Sequence, residues 1–98
     1  MLEILEMELV DMAKIEKKAW PDLFEAVLNG KKKFDVRLGD FKCNVGDVLI
    51  LREWDPIKKE YTGRSTEKEI IYVLKTKDMK FWSKEEMNNL GLQILSLG

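Results

Sequence analysis

The sequence contains no histidine and one cysteine, Cys43. Without histidine, imidazole acid–base chemistry is excluded. A lone thiol cannot close a disulfide within the chain, which suits a reducing cytosol. The usual zinc sets cannot be assembled either. Proline is scarce, at positions 21 and 56 only. No apolar run approaches the length of a transmembrane helix, so no membrane partner is expected. Neither sign of charge is in excess: 17 Lys and Arg face 18 Asp and Glu, for a net charge of −1. Whole-molecule attraction to nucleic acid is therefore not expected, and any such attraction must come from local clustering. The start, MLEILEMELVDM, has acids close to the first Met and lacks a basic leader, so it does not read as a secretory signal. The expected location is cytoplasmic.

What is present is an ordinary globular composition, 45% hydrophobic and 36% charged over 98 residues. That is the size of one domain and too apolar for a disordered chain. Leu2, Leu5 and Leu9 fall near helical spacing in a short acidic stretch. Residues 1–11 accordingly read as a peripheral extension and residues 12–98 as the domain. Catalysis, if there is any, must use Lys, Asp, Glu, Tyr or a hydroxyl.

The chain reads as alternating short elements. Lys14 to Ala19 is the first strand, and Pro21 fits the first position of a helix running to Asn29. Asp22 and Glu25 suit its positive end. Leu23, Phe24, Val27 and Leu28 make its apolar stripe, and Gly30 ends it. Lys32 to Leu38 is the second strand, followed by turns at Gly39-Asp40 and Asn44 to Asp47. Val48 to Trp54 is the third, apolar on both faces at Val48 to Leu51 and therefore central. Asp55-Pro56 stops it. The fourth strand begins near Tyr61, bends at Gly63 and continues through Leu74. Ser83 with Glu86 reads as a capping box opening a second helix to about Leu90. Leu92 to Leu97 closes the chain, with Gln93 as its wet position. Five or six short, mostly antiparallel strands with hairpin links and two short helices predict an α+β fold built on a small closed β-barrel.

The stretch GKKKFDVR, Gly30 to Arg37, carries the densest chemistry. Its alternation puts Phe34, Val36 and Leu38 on one face, expected to be buried, and Lys33, Asp35 and Arg37 on the other. Asp35 between two cations is expected to be ionised and paired. Arg37 offers a planar donor fork suited to phosphate or a base edge. Spacing alone favours a solvated edge strand with weak surface ion pairs. A second cluster is Arg52-Glu53-Trp54-Asp55. Trp54 is either a stacking platform for a base or a cap on the core with Arg52 laid over it. Trp20 and Trp82, each at a helix entrance, read as core or hinge residues. Lys14, Lys17, Lys18, Lys31, Lys32 and Lys33 would merge into one basic patch if the first two strands were neighbours. Cys43 reads as a small buried hydrophobe.

GKKKFDVR resembles the G-x-K-x-x-E-x-R signature of ASCH domains, members of the PUA-like superfamily. Gly30, Lys32 and Arg37 match, and Asp35 stands where Glu is usual. Pro21 to Gly30, Val45-Gly46-Asp47, Glu53-Trp54-Asp55-Pro56 and Tyr61-Thr62-Gly63-Arg64 are similar to motifs of a small bacterial and phage branch of that group, a domain of unknown function. The resemblance runs from about Ala13 to the end. It implies a PUA-like pseudo-barrel with a helix beside a cleft, lined by Lys32 and Arg37, that binds RNA or a nucleotide; the expected state is a monomer or weak dimer. Adding the residue reading, the candidate contacts are Lys32, Arg37, Asp35, Lys33, Arg52 and Trp54, with no cofactor and no metal. One branch of the superfamily deacetylates a modified cytidine using the signature Lys, a Thr two residues before the Arg, and a later Glu. The alternative function is therefore a small amidohydrolase using Lys32 and Asp35. Asp35 stands in the Thr place, and Glu85 or Glu86 would have to supply the Glu, so binding is favoured over catalysis.

Overall fold

Pro21 separates the first strand from the helix that follows it. The preceding Trp20 is held extended (φ −65°, ψ 154°), as the proline ring requires of its neighbour. The computed structural model describes residues 12–80, 83–85 and 87–98. The expected N-terminal extension, residue 82 and the acidic half of the capping box, Glu86, lie outside the described residues. The elements are β1 (Lys14–Ala19), α1 (Pro21–Leu28), β2 (Phe34–Leu38), β3 (Val48–Asp55), β4 (Glu60–Lys75), a 3-10 turn (Thr76–Asp78) and β5 (Leu92–Leu97). Among them no helix is long and apolar enough to cross a membrane.

α1 starts with the Phe24 N–H donating to the Trp20 carbonyl at 2.8 Å. It ends where the Asn29 and Gly30 N–H groups donate to Glu25 and Val27. Gly30 sits at φ 81°, a conformation that glycine adopts without Cβ strain. Only Phe24 and Val27 of the expected stripe are buried; Leu23 and Leu28 remain exposed.

The strands form one sheet in the order β1-β3-β4-β5-β2. β1 runs parallel to β3, and the other three pairings are antiparallel. β3 is therefore central, as its two-sided apolar run predicts. β4 carries both halves of the sheet: Glu60 to Glu69 pairs with β3, and Ile70 to Lys75 pairs with β5 after an irregularity between Ile70 and Tyr72. A second irregularity sets Glu53 of β3 opposite Thr62, Gly63 and Arg64, with Gly63 at φ 95°. The expected bend at Gly63 is thus a bulge. The core gathers Ala19, Phe24, Val27, Leu49, Leu51, Ile70, Leu95 and Leu97 with Cys43.

Three expectations are corrected. The sheet is not a closed barrel, because β1 and β2 remain its two edges. Strand number does not force closure: β1 spends its pairing on β3 in parallel, and β2 pairs with β5. The second helix is absent among the described residues, where 83–90 holds turns and bends and one Met87 N–H to Ser83 carbonyl bond of 3.2 Å. The faces of β2 are reversed: Asp35 is buried at 4% exposure, whereas Phe34, Val36 and Leu38 stand 49%, 46% and 49% exposed. They join Leu92, opposite Leu38, on an outer apolar face.

Gln93 is also reversed, being 2% exposed rather than wet. Its carboxamide donates to the Phe41 carbonyl at 3.0 Å and accepts from the Cys43 thiol at 3.5 Å. Burial pushes the Cys43 thiol pKa up, against the opposing pull of Lys75. Gln93→Leu leaves the part-buried Phe41 carbonyl and the buried Cys43 thiol without their partner. It should lower the free energy of unfolding by about 1–3 kcal/mol. Urea denaturation should show a reduced midpoint with an unchanged slope, against Ser96→Ala as control. An unmoved midpoint would show that the carboxamide does not hold Phe41.

Candidate nucleic-acid interface

The opening between the two sheet edges is a cleft of about 470 Å³. Its walls come from the end of β1 (Lys18, Ala19), from α1 (Leu23, Val27) and the Trp20 before it, from the β2 region (Lys32, Asp35, Val36, Arg37) and from Leu51 of β3. Asp35 and Arg37 point into it because β2 turns its polar side inward. Arg37 donates Nε to Asp35 Oδ2 at 2.7 Å and a terminal nitrogen to Oδ1 at 3.2 Å. This fork satisfies the buried carboxylate. Arg37 keeps about a quarter of its side chain exposed (23%). Lys32 Nζ donates to the Phe34 carbonyl at 2.6 Å and lies 4.7 Å from the Phe34 ring centroid. The Lys32 amide is anchored to the Ala26 carbonyl at the helix exit. Both partners of Nζ are neutral, so its charge is not cancelled.

Of the predicted contacts, Lys32, Asp35 and Arg37 are brought together and the others are not. Lys33 does not line the cleft; it opens onto a neighbouring hollow with Lys68 and Ile71, which Lys32 and Val27 also line. Arg52 and Trp54 share the other face of β3 from buried Leu51 and Glu53. Arg52 lies 3.8 Å over the Tyr61 ring and reaches Glu16 at 3.8 Å. Trp54 meets Tyr61 edge to face at 5.0 Å, and Lys18, not Arg52, covers it at 3.7 Å. The expected basic patch is smaller than the sequence suggests. β1 and β2 face each other across the cleft without pairing, so only Lys18 and Lys32 of the six lysines line it. Lys17 turns inward over the Phe41 ring at 3.8 Å.

Sequence reasoning missed Trp20. It is not a core residue: it stands 60% exposed on the rim of the cleft. The signal was available in Pro21, which fixes the residue before it in an extended conformation outside the helix.

The remaining motif residues are framework. Asp47 accepts from the Ala13 and Asn44 amides at 3.0 and 2.8 Å, tying the start of β1 to the turn before β3. Asp55 accepts from the Ile57 and Lys58 amides, which hold its pKa below the usual range. Buried Glu53 accepts from Thr62 Oγ1 at 2.6 Å and from Arg64 at 3.1 and 3.0 Å. The bulge at Gly63 lets both partners reach it. Arg64 also pairs with Glu25 of α1 at 2.9 Å and lies 4.9 Å from the Phe24 ring. Among the described residues no group of three or more His, Cys, Asp or Glu is placed to hold a metal ion.

A family model described as "Domain of unknown function (DUF3850)" matches residues 15–90. The chain belongs to that family. It is also similar to an uncharacterized 12.9 kDa protein in the GpA 3' region of Escherichia phage P2, with 41% identity over 75 residues. That match spans 76% of this chain and 64% of the phage protein's length. The family residues 15–90 thus take in α1, the cleft and the Glu53–Arg64 network together.

Two outcomes follow from these bonds. Hydrogen bonds from Arg64 first, then Thr62, hold the Glu53 pKa below its ordinary value. Its stabilising contribution is therefore present above the unfolded-state pKa and is lost as pH falls through the depressed folded-state value. Glu53→Gln should be less stable than the parent at neutral pH, and the gap should shrink toward about pH 3. A gap independent of pH in urea titrations would refute the charge's role. Arg37→Ala strands the Asp35 carboxylate and should cost about 2–4 kcal/mol, whereas Lys32→Ala should stay within about 0.5 kcal/mol. Equal thermal midpoints for the two variants would show that the fork does not support β2.

Proposed function

We propose that the cleft binds single-stranded RNA or a nucleotide, holding phosphate on Lys18, Lys32 and Arg37 and stacking a base on Trp20. One observation carries this reading. The cleft gathers three cations and one carboxylate, that carboxylate is taken up by Arg37, and an exposed indole stands at the rim. Cations without anionic partners beside an aromatic face are what a sequence-tolerant single-strand site requires. Contacts of this kind position a backbone and do not read sequence. The resemblance of Gly30, Lys32 and Arg37 to the ASCH signature supports the same ligand class, and a cytoplasmic location goes with this reading. The amidohydrolase alternative is less favoured. It needs Asp35 to position water, and both Asp35 oxygens accept from Arg37.

Fluorescence anisotropy with a labelled oligouridylate tests the reading. Affinity should fall as salt rises, with a slope of about −0.7 per phosphate neutralised. Trp20→Ala should weaken binding by about 1–3 kcal/mol, the usual worth of one stacked base, and Lys32→Ala should flatten the salt slope. Arg37 is the wrong position to test, because its loss unbalances Asp35. Folded Trp20→Ala and Lys32→Ala variants that bind as the parent does would reject the site. Release of acetate from acetylated cytidine, followed by chromatography, would favour the hydrolase instead.

A further inference from the structure

We infer that a second cavity, lined by Lys42, Lys75 and Lys77, is a phosphate subsite, so that the ligand is a strand with several phosphates and not a mononucleotide. The inference rests on the reading of the cleft as a nucleic-acid site. This cavity has a volume of about 330 Å³, and its walls include Phe41, Gln93 and Asp40. It shares no lining residue with the first cleft. Among the described residues no carboxylate lies within ion-pair distance of any of its three ammonium groups, and Asp40 is its one acid. Three cations against one acid leave a local excess of about two positive charges in a chain whose net charge is −1.

The cavity is held in shape by its own hydrogen bonds. The Thr76 hydroxyl accepts from the Leu92 amide at 2.6 Å and donates to the Leu92 carbonyl at 3.2 Å, fastening the turn that carries Lys75 and Lys77 to the start of β5. The Gly39 amide donates to the Gly91 carbonyl at 3.0 Å. A Cβ at Gly39 would collide with the Leu90 carbonyl oxygen, so this close backbone approach admits only glycine. On the opposite wall, buried Gln93 grips the Phe41 carbonyl and fixes the segment carrying Lys42.

The two cavities adjoin. Arg37 of the first is the register partner of Gln93, and Gln93 is the register partner of Lys75. Arg37 and Lys75 thus stand in one row on β2 and β4, either side of β5, their backbones two strand spacings, or about 10 Å, apart. One small anion cannot occupy two cavities with separate walls. A flexible chain of phosphates can, leaving the cleft past Arg37 and entering beside Gly39.

Amide chemical shifts of the nitrogen-15-labelled chain, titrated with uridine monophosphate and with octauridylate, distinguish the cases. The monophosphate should move only signals around Lys32 to Arg37. The octamer should also move Lys75, Lys77 and Gln93. The triple variant Lys42→Gln, Lys75→Gln, Lys77→Gln should lose about tenfold in octamer affinity, with a shallower salt slope, and should bind the monophosphate as the parent does. Octamer shifts confined to the first cleft, or an unchanged octamer affinity in the triple variant, would overturn the subsite and leave the cleft reading standing. If nothing moves around Lys32 to Arg37, the cleft reading falls. Octamer shifts at Lys75 and Lys77 that vanish in the triple variant would then support the second cavity as a site by itself, and their absence would overturn it as well.

Discussion

The carboxylate of Glu53 is the constraint on which the site depends. A buried negative charge persists in a small domain only when donors surround it. Here they come from across the hairpin, because the bulge at Gly63 turns Thr62 and Arg64 toward the same spot. Arg64 is longer than that task requires, and its second contact, to Glu25, fastens α1 to the hairpin. α1 buries only Phe24 and Val27, a thin apolar attachment for two turns of helix. The ionic link adds orientation to that attachment. The position of α1 then determines where Trp20 and the cleft wall stand.

The second consequence concerns β2. An edge strand with alternating apolar and charged residues normally buries the apolar side. Here the inward side meets a cleft instead of aliphatic core, and Asp35 has its counterion two residues away on the same face. The internal pair lowers the cost of turning the polar side in. It also fixes Arg37, since a guanidinium held by two hydrogen bonds has little rotamer freedom left to lose when it meets an anion. The aliphatic side faces out beside Leu92.

Much of this was legible in the sequence. Pro21 and Gly30 mark the ends of α1, Lys14 to Ala19 just before Trp20-Pro21 reads as β1, and the apolar run at Val48 to Leu51 locates β3 inside the sheet. The shared direction of Asp35 and Arg37 follows from a period of two. What the pattern could not give was direction in the absolute sense: alternation defines two faces and leaves open which one is inside. The same gap explains Gln93, a polar residue turned inward, where it meets the part-buried Phe41 carbonyl and the Cys43 thiol. Closure was not legible either, because the parallel pairing of β1 with β3 is a long-range choice that no local signal records. The motifs at Asp47, Glu53, Asp55 and Arg64 were visible as sequence. Their framework role appears only when the hydrogen-bond partners are known.

The near-neutral net charge becomes informative once the ion pairs are placed. Among the described residues every ion pair uses an arginine: Arg37 with Asp35, Arg52 with Glu16, Arg64 with Glu25 and Glu53. No lysine takes part. Asp47 and Asp55 are spent on backbone amides. The buried acids are thus committed to the framework, while Lys18 and Lys32 rest on an aromatic ring and a carbonyl, partners that leave their charge intact. A balanced composition is therefore compatible with a locally positive cleft, because neutrality is reached by pairing elsewhere. Arginine suits the fixed, partly buried pairs through its rigid fork. Lysine suits a site whose ammonium groups must leave weak neutral partners for a phosphate. This division of labour between the two cations is the physical basis of the proposal that the cleft takes an anionic ligand.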